Sequence, residues 1–116
     1  MAYRIPEQEI LDSLDQDRAL FYDLIDCFLE NAPEQLVEVE RALNSRDSAR
    51  SRLEAHSLKG SLAIFCAPDV VRLAHEVEQL ARRGAIDRAL DIMPRLRYET
   101  YSLLDELRRY RGSVAA

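Results

Sequence analysis

The sequence predicts an all-α protein, an antiparallel up-down four-helix bundle with a short extra N-terminal helix. Three observations carry that expectation. Apolar residues recur at i, i+3, i+4 and i+7 along most of the chain, the spacing of one helical face. β-branched residues are sparse and strict two-residue alternation is absent, so strands are not expected. The chain carries three glycines, four prolines and no low-complexity tract, so its connections are short. Short connections between amphipathic helices make sequence neighbours antiparallel.

In chain order, residues 6–14 read as a short helix with Pro6 in its first turn, placed to cap one end of the bundle. Residues 17–31 read as the second, with Leu20, Phe21, Leu24, Ile25 and Phe28 as its apolar stripe. Pro33 opens a third, running to about Ser45 with Leu36, Val39 and Leu43 inward. Asp47 suits the N-cap of a fourth that reaches about Ala67. Pro68 opens a fifth that stops near Gly84, with Arg82 and Arg83 complementing the dipole of its last turn. A final stretch covers residues 86–110 and ends at Gly112, and Pro94 inside it predicts a kink or a break.

A length of 116 residues fits one domain, spanning residues 1–116, that buries roughly two-thirds of its unfolded surface without a staple. The net charge of −5 argues against nucleic-acid binding, which requires a basic patch or stripe. Cys27 and Cys66 have neither metal-ligand spacing nor a disulfide framework and suit a reducing compartment. No apolar run approaches the roughly 20 residues of a membrane span, and the first ten residues hold no signal-peptide core. The expectation is a cytoplasmic monomer with no membrane or nucleic-acid partner. No glycine-rich phosphate loop occurs, so no ATP site, bound cofactor or independent enzymatic activity is expected.

The segment around His56 decides the functional reading. At about 100° per residue, Ser51, Ala55, Leu58, Leu62 and Phe65 share one face, and His56 points away from it toward solvent. Ala49, Gly60 and Ala63 flank His56 on the outer face, where long charged side chains are usual. Glycine inside a helix costs about 0.5–1 kcal/mol relative to alanine. Gly60, one turn after an exposed histidine, therefore reads as clearance for a bulky partner. Lys59 follows His56 at i+3 and is the single lysine among sixteen basic residues. A compact ammonium there suits an incoming dianionic phosphoryl group and favours a neutral, nucleophilic imidazole. An exposed histidine is more often an ordinary surface residue; bare flanks, Gly60 and Lys59 together weigh against that.

The run Ala55-His56-Ser57-Leu58-Lys59-Gly60-Ser61 resembles the signature of histidine-containing phosphotransfer (HPt) domains, four-helix bundles with the histidine in mid-helix. The resemblance extends to Phe28-Leu29-Glu30-Asn31-Ala32-Pro33 before it and to Leu73-Ala74-His75-Glu76-Val77-Glu78 and Arg83-Gly84 after it. One departure stands out: the family commonly has Gly-Ala about ten residues after the histidine, and this chain has Cys66-Ala67. The resemblance implies a phosphorelay carrier. His56 would take a phosphoryl group from a receiver aspartate or a histidine kinase, hybrid kinases included, and pass it to another response-regulator receiver. Lys59 would steady the phosphate and Gly60 would allow docking, with Mg²⁺ supplied by the receiver.

His75 and Glu78 are i, i+3 neighbours read as lying off the apolar stripe of Val70, Leu73, Val77 and Leu80. Their spacing resembles the phosphotransfer domain of chemotaxis histidine kinases, in which a His and a Glu on the next helix contact the phosphorylated His. That resemblance implies that Glu78 or His75 hydrogen-bonds His56; the alternative is an ordinary solvated pair. A metal site from His56, His75 and Glu78 is not expected, because three surface ligands without supporting partners fit zinc poorly. Two other functions stay open: substrate domain of a chemotaxis-type kinase, and a helical adaptor that never carries phosphate.

Overall fold

A computed structural model describes residues 5–114, so the first four residues of the N-terminal stretch read above lie outside the described residues. Five helices follow in order: α1 Glu7–Ser13, α2 Arg18–Asn44, α3 Ser48–Ala63, α4 Pro68–Arg82 and α5 Ile86–Ser113. No strand occurs among the described residues. Helices α2 to α5 form the bundle as a closed ring, each packed on its two neighbours, with α5 returning to α2. Antiparallel ion pairs lace that last seam, Arg97 to Glu40 and Arg111 to Asp26. The short α1 lies against α2, with Ile10 and Leu11 fully buried and Glu7 paired to Arg18 at 2.7 Å.

The N-cap expected at Asp47 takes its place, and Asp17, expected only as the start of a helix, caps α2 in the same way. Asp17 accepts a hydrogen bond from the Leu20 amide at 2.9 Å, and Asp47 accepts one from the Arg50 amide at 3.0 Å. Pro68 opens α4 as expected, whereas Pro33 departs from expectation. Pro33 does not divide two helices: α2 runs unbroken for 27 residues. Phe28, Ala32, Leu36 and Val39 keep one buried stripe in phase across it. Proline removes one hydrogen bond, but its φ is helical, and burial of a continuous stripe outweighs the loss. Likewise α5 passes through Pro94, whose neighbours Met93 and Leu96 are fully buried, and continues beyond Gly112 to Ser113. Leu20, placed in the core stripe of α2 by its spacing, is 41% exposed, because it sits at the open edge of the first turn.

Each connection turns on residues with positive φ: Asp15 and Gln16 before α2, Arg46 before α3, Cys66 before α4 and Gly84 before α5. Only at Gly84, φ 75°, does a glycine meet that requirement without steric cost. The turn at Cys66 also ends α3 at Ala63, four residues short of the expected Ala67. The core is largely apolar, with Ser51, Glu78 and Thr100 as its buried polar residues, and Phe28 and Phe65 meet at a tilt with ring centroids 5.0 Å apart where α2 meets the end of α3. The packed α3–α4 pair holds the residues of interest.

Candidate functional site

Helix α3 buries Ser51, Ala55, Leu58 and Leu62, so the remaining arc of its surface is turned outward. His56 lies on that arc with 64% of its side chain exposed. Gly60, one turn on, is also exposed, and a Cβ built on it would meet nothing within 4 Å. The chain's own packing therefore gives no reason for a glycine there.

Across the α3–α4 contact stands Glu78. Its side chain is only 6% exposed, yet it meets three polar groups. His56 Nδ1 lies 3.0 Å from Oε2, Lys59 Nζ 2.7 Å from Oε1, and His75 Nδ1 3.9 Å from Oε1. The Lys59 contact is an ion pair rather than an aligned hydrogen bond. Burial pushes the Glu78 carboxyl up, but the Lys59 ammonium and the His56 hydrogen bond outweigh it, and its pKa ends below the ordinary value. Glu78 is thus ionised at neutral pH, and an ionised carboxylate only accepts. Nδ1 of His56 therefore carries a proton and donates it, which leaves the lone pair of the neutral ring on Nε2. The same logic fixes the other ring. The Lys59 ammonium only donates, so His75 Nδ1, 3.2 Å away, accepts, and its proton sits on Nε2.

The Hpt domain family model matches residues 23–110, which takes in α3, α4 and most of α2 and α5. The chain belongs to the Hpt domain family. The crystal structure of histidine-containing phosphotransfer protein B (HptB) from Pseudomonas aeruginosa PAO1 is similar in fold. It superposes with a TM-score of 0.84 at 26% identity, over 92% of this chain and 94% of that one. No curated protein matches the chain by sequence. As an Hpt domain the protein is a phosphocarrier that works by histidine phosphotransfer in phosphorelay signalling. Hpt domains interact with receiver domains and histidine kinases.

Within this Hpt domain the structure brings His56, Lys59 and Glu78 together, with His75 joined to the cluster through Lys59. Glu78 does not lie off the apolar stripe as its spacing suggested; it is one of the buried residues of α4. Its neighbours Ala74, Val77 and Ala81 are fully buried, so the helix turns Glu78 inward far enough to lose water. The Glu78 carboxylate also meets both His56 and Lys59, so the ammonium does not act on the imidazole alone. The outer stripe is less bare than its alanines and glycine implied. Arg52, four residues before His56, shares its face, and Leu53 is 57% exposed. Helical periodicity alone locates Arg52 there.

Among the described residues of the Hpt domain, no group of three or more His, Cys, Asp or Glu side chains is arranged to hold a metal ion. No helix among them is long and apolar enough to cross a membrane. The departure from the family pattern has a structural meaning: Cys66, in place of the common glycine, adopts φ 51°. The backbone keeps the left-handed turn that glycine would favour and imposes it on a residue with a Cβ.

Proposed function

We propose that His56 is the phosphorylated residue of this Hpt domain and that Nε2 is the atom that carries the phosphoryl group. The observation that carries this reading is an exposed imidazole whose Nδ1 is bonded to the buried carboxylate of Glu78. The Nε2 lone pair attacks the phosphorus of a receiver's aspartyl phosphate in line. An N–P bond forms, the P–O bond to the aspartyl carboxyl breaks, and the aspartate leaves as a carboxylate. Because Nδ1 keeps its proton, the ring gains positive charge as the N–P bond forms, and the Glu78 carboxylate lies where that charge develops. Lys59 holds Glu78 ionised and in place, and Gly60 leaves room for the partner's loops. His75 sits behind Lys59 as a neutral acceptor.

The reaction is reversible, so the domain supplies a nucleophile and a docking face and relies on its partners for the rest. The Mg²⁺ that phosphoryl transfer requires belongs to the receiver's acidic pocket. We read the chain as one domain over residues 1–116, a cytoplasmic monomer without an ATP site, cofactor, membrane or nucleic-acid partner. Its partners are response-regulator receivers and a histidine kinase. The contact of Glu78 with His56 and of His75 with Lys59 also favours a second reading, as the substrate domain of a chemotaxis-type kinase.

Incubation with a phosphorylated receiver tests the first reading. The wild type takes up an acid-labile, base-stable label, and His56→Gln takes up none while its circular dichroism is unchanged. Label retained in His56→Gln overturns the assignment. Labelling by a kinase domain and ATP but by no phosphorylated receiver decides for the second reading.

A further inference from the structure

Helix α5 packs on α4 and α2 and lies across the ring from α3, so its outer arc faces solvent on the side of the bundle away from His56. At about 100° per residue, Asp91, Arg95, Tyr98, Asp105 and Arg109 share an arc of about 80° there. Tyr98, near its centre, is 71% exposed, more than any other large apolar or aromatic side chain among the described residues. Tyr101 borders the arc and is exposed as well. The ion pairs of Arg97 with Glu40 and of Arg111 with Asp26 set the register of α5 on α2, and in that register Tyr101 stands level with exposed Val37. A single exposed apolar residue needs no explanation. Two tyrosines and a valine together, with charges at both ends, have the anatomy of an interface: aromatic centre, polar rim.

The charges of that rim point to the occupant. Asp91 and Arg95 make no ion pair among the described residues. Asp105 and Arg109 pair only with Arg108 and Glu106 of their own helix, in surface contacts that contribute little. Along the arc the order is minus, plus, Tyr98, minus, plus. Such an order is complementary to its own reverse. With a second α5 laid antiparallel on the first, about a two-fold axis level with Thr100, Arg95 meets Asp105 of the second copy and Asp91 meets its Arg109, twice over by symmetry. Tyr98 and Tyr101 then fill the centre. A slip of one turn sets Asp91 on Asp105 or Arg95 on Arg109, and a parallel pairing sets each charge on its like, so the charges select one arrangement.

We propose that the outer arc of α5 is a self-association surface whose occupant is a second copy of this chain, with the two α5 helices antiparallel and both His56 rings left uncovered. The patch is small, so the pairing is weak and reversible, and the monomer read above is the form at low concentration. The proposal does not depend on which residue carries the phosphoryl group.

Sedimentation equilibrium of the full chain from about 10 µM to about 1 mM tests it. The wild type rises reversibly toward twice the monomer mass. Arg95→Glu makes both Arg95 contacts repulsive and weakens association by about tenfold, and Asp105→Arg does the same. An equimolar mixture of these two variants associates again, because the two reversals face each other across one half of the interface and the native pair fills the other half. Tyr98→Ser, which empties the centre, weakens association by at least as much. All three positions are exposed, so circular dichroism stays that of the wild type. Phosphoramidate, a small donor that passes its phosphoryl group to an imidazole and releases ammonia, labels each variant as it labels the wild type. A wild type that stays at the monomer mass to about 1 mM overturns the proposal; a receiver or kinase domain whose binding Tyr98→Ser then weakens takes the surface instead. Association that persists in both charge variants overturns it too and moves the contact to another face, as does a mixture that stays monomeric while the wild type pairs.

Discussion

Glu78 accepts a hydrogen bond from His56 across the α3–α4 contact at 3.0 Å while only 6% of its own side chain meets water. A carboxylate in that position is stable only with its cation in place. The Lys59 ammonium supplies it at 2.7 Å, itself 23% exposed. Removing one partner of a largely buried pair leaves an uncompensated charge, whereas removing both does not. Lys59→Ala should therefore destabilise the fold by about 2–3 kcal/mol at pH 7, and Glu78→Gln by about 1 kcal/mol. The variant with both changes should lose at least about 1 kcal/mol less than the sum. Urea unfolding of the four proteins measures the coupling; strictly additive losses would show that the pair is not a unit.

The same carboxylate makes stability depend on acidity. Burial raises the Glu78 pKa and the contacts with Lys59 and His56 lower it by more, so its folded value lies below the ordinary 4.5. A depressed carboxylate stabilises the fold above the unfolded value, and that contribution is lost as pH falls through the folded value. The stability gap between wild type and Glu78→Gln should be complete at pH 7, begin to close near pH 4.5 and keep shrinking on further acidification. Thermal melts between pH 3 and 7 follow it, and a gap that widens in acid contradicts the sign.

Gly60 separates docking from chemistry. Since an added Cβ meets nothing within 4 Å, Gly60→Ala should stabilise α3 by about 0.5–1 kcal/mol. A long side chain there, as in Gly60→Gln, should leave labelling by phosphoramidate unchanged and slow transfer from a receiver by about tenfold, a loss of about 1.4 kcal/mol of docking energy. Equal rates from the small and the large donor in Gly60→Gln would remove the clearance argument.

Much of this arrangement is legible in sequence, for reasons visible at particular residues. Period and capping fix the helices: Asp17 and Asp47 are side-chain signals that act within three residues, and no tertiary contact alters them. Periodicity also turns His56 outward, because Ser51, Ala55, Leu58 and Leu62 claim the opposite face. Pro33 misleads because local propensity marks a break while a buried stripe from Phe28 to Val39, spread over the length of α2, holds the helix together. Glu78 misleads in the opposite direction. A glutamate reads as solvated, and only its juxtaposition with Lys59 from another helix makes burial tolerable. The i−4 spacing of Arg52 from His56 is legible in the sequence, but the alanines and Gly60 around it mask a long side chain on that face.

Cys66 offers a test of backbone strain at the end of the functional helix. Its φ of 51° places a residue with a Cβ in the left-handed region, at a cost of about 1 kcal/mol that glycine avoids. The side chain is half-buried, so deleting it forfeits some apolar burial, about 0.5 kcal/mol for part of one thiol. The two effects oppose each other, and the strain is the larger. Cys66→Gly should therefore stabilise the protein by about 0.5 kcal/mol, whereas Cys66→Ala, which keeps the Cβ and loses the thiol, should destabilise it by a similar amount. Burial, and then the charge of Glu9, also holds the Cys66 thiol above its usual pKa, so it should alkylate more slowly than exposed Cys27 at mildly alkaline pH. Opposite signs for the glycine and alanine variants in urea unfolding identify the turn as the strained element; losses of equal size in both would trace the effect to the thiol's packing instead.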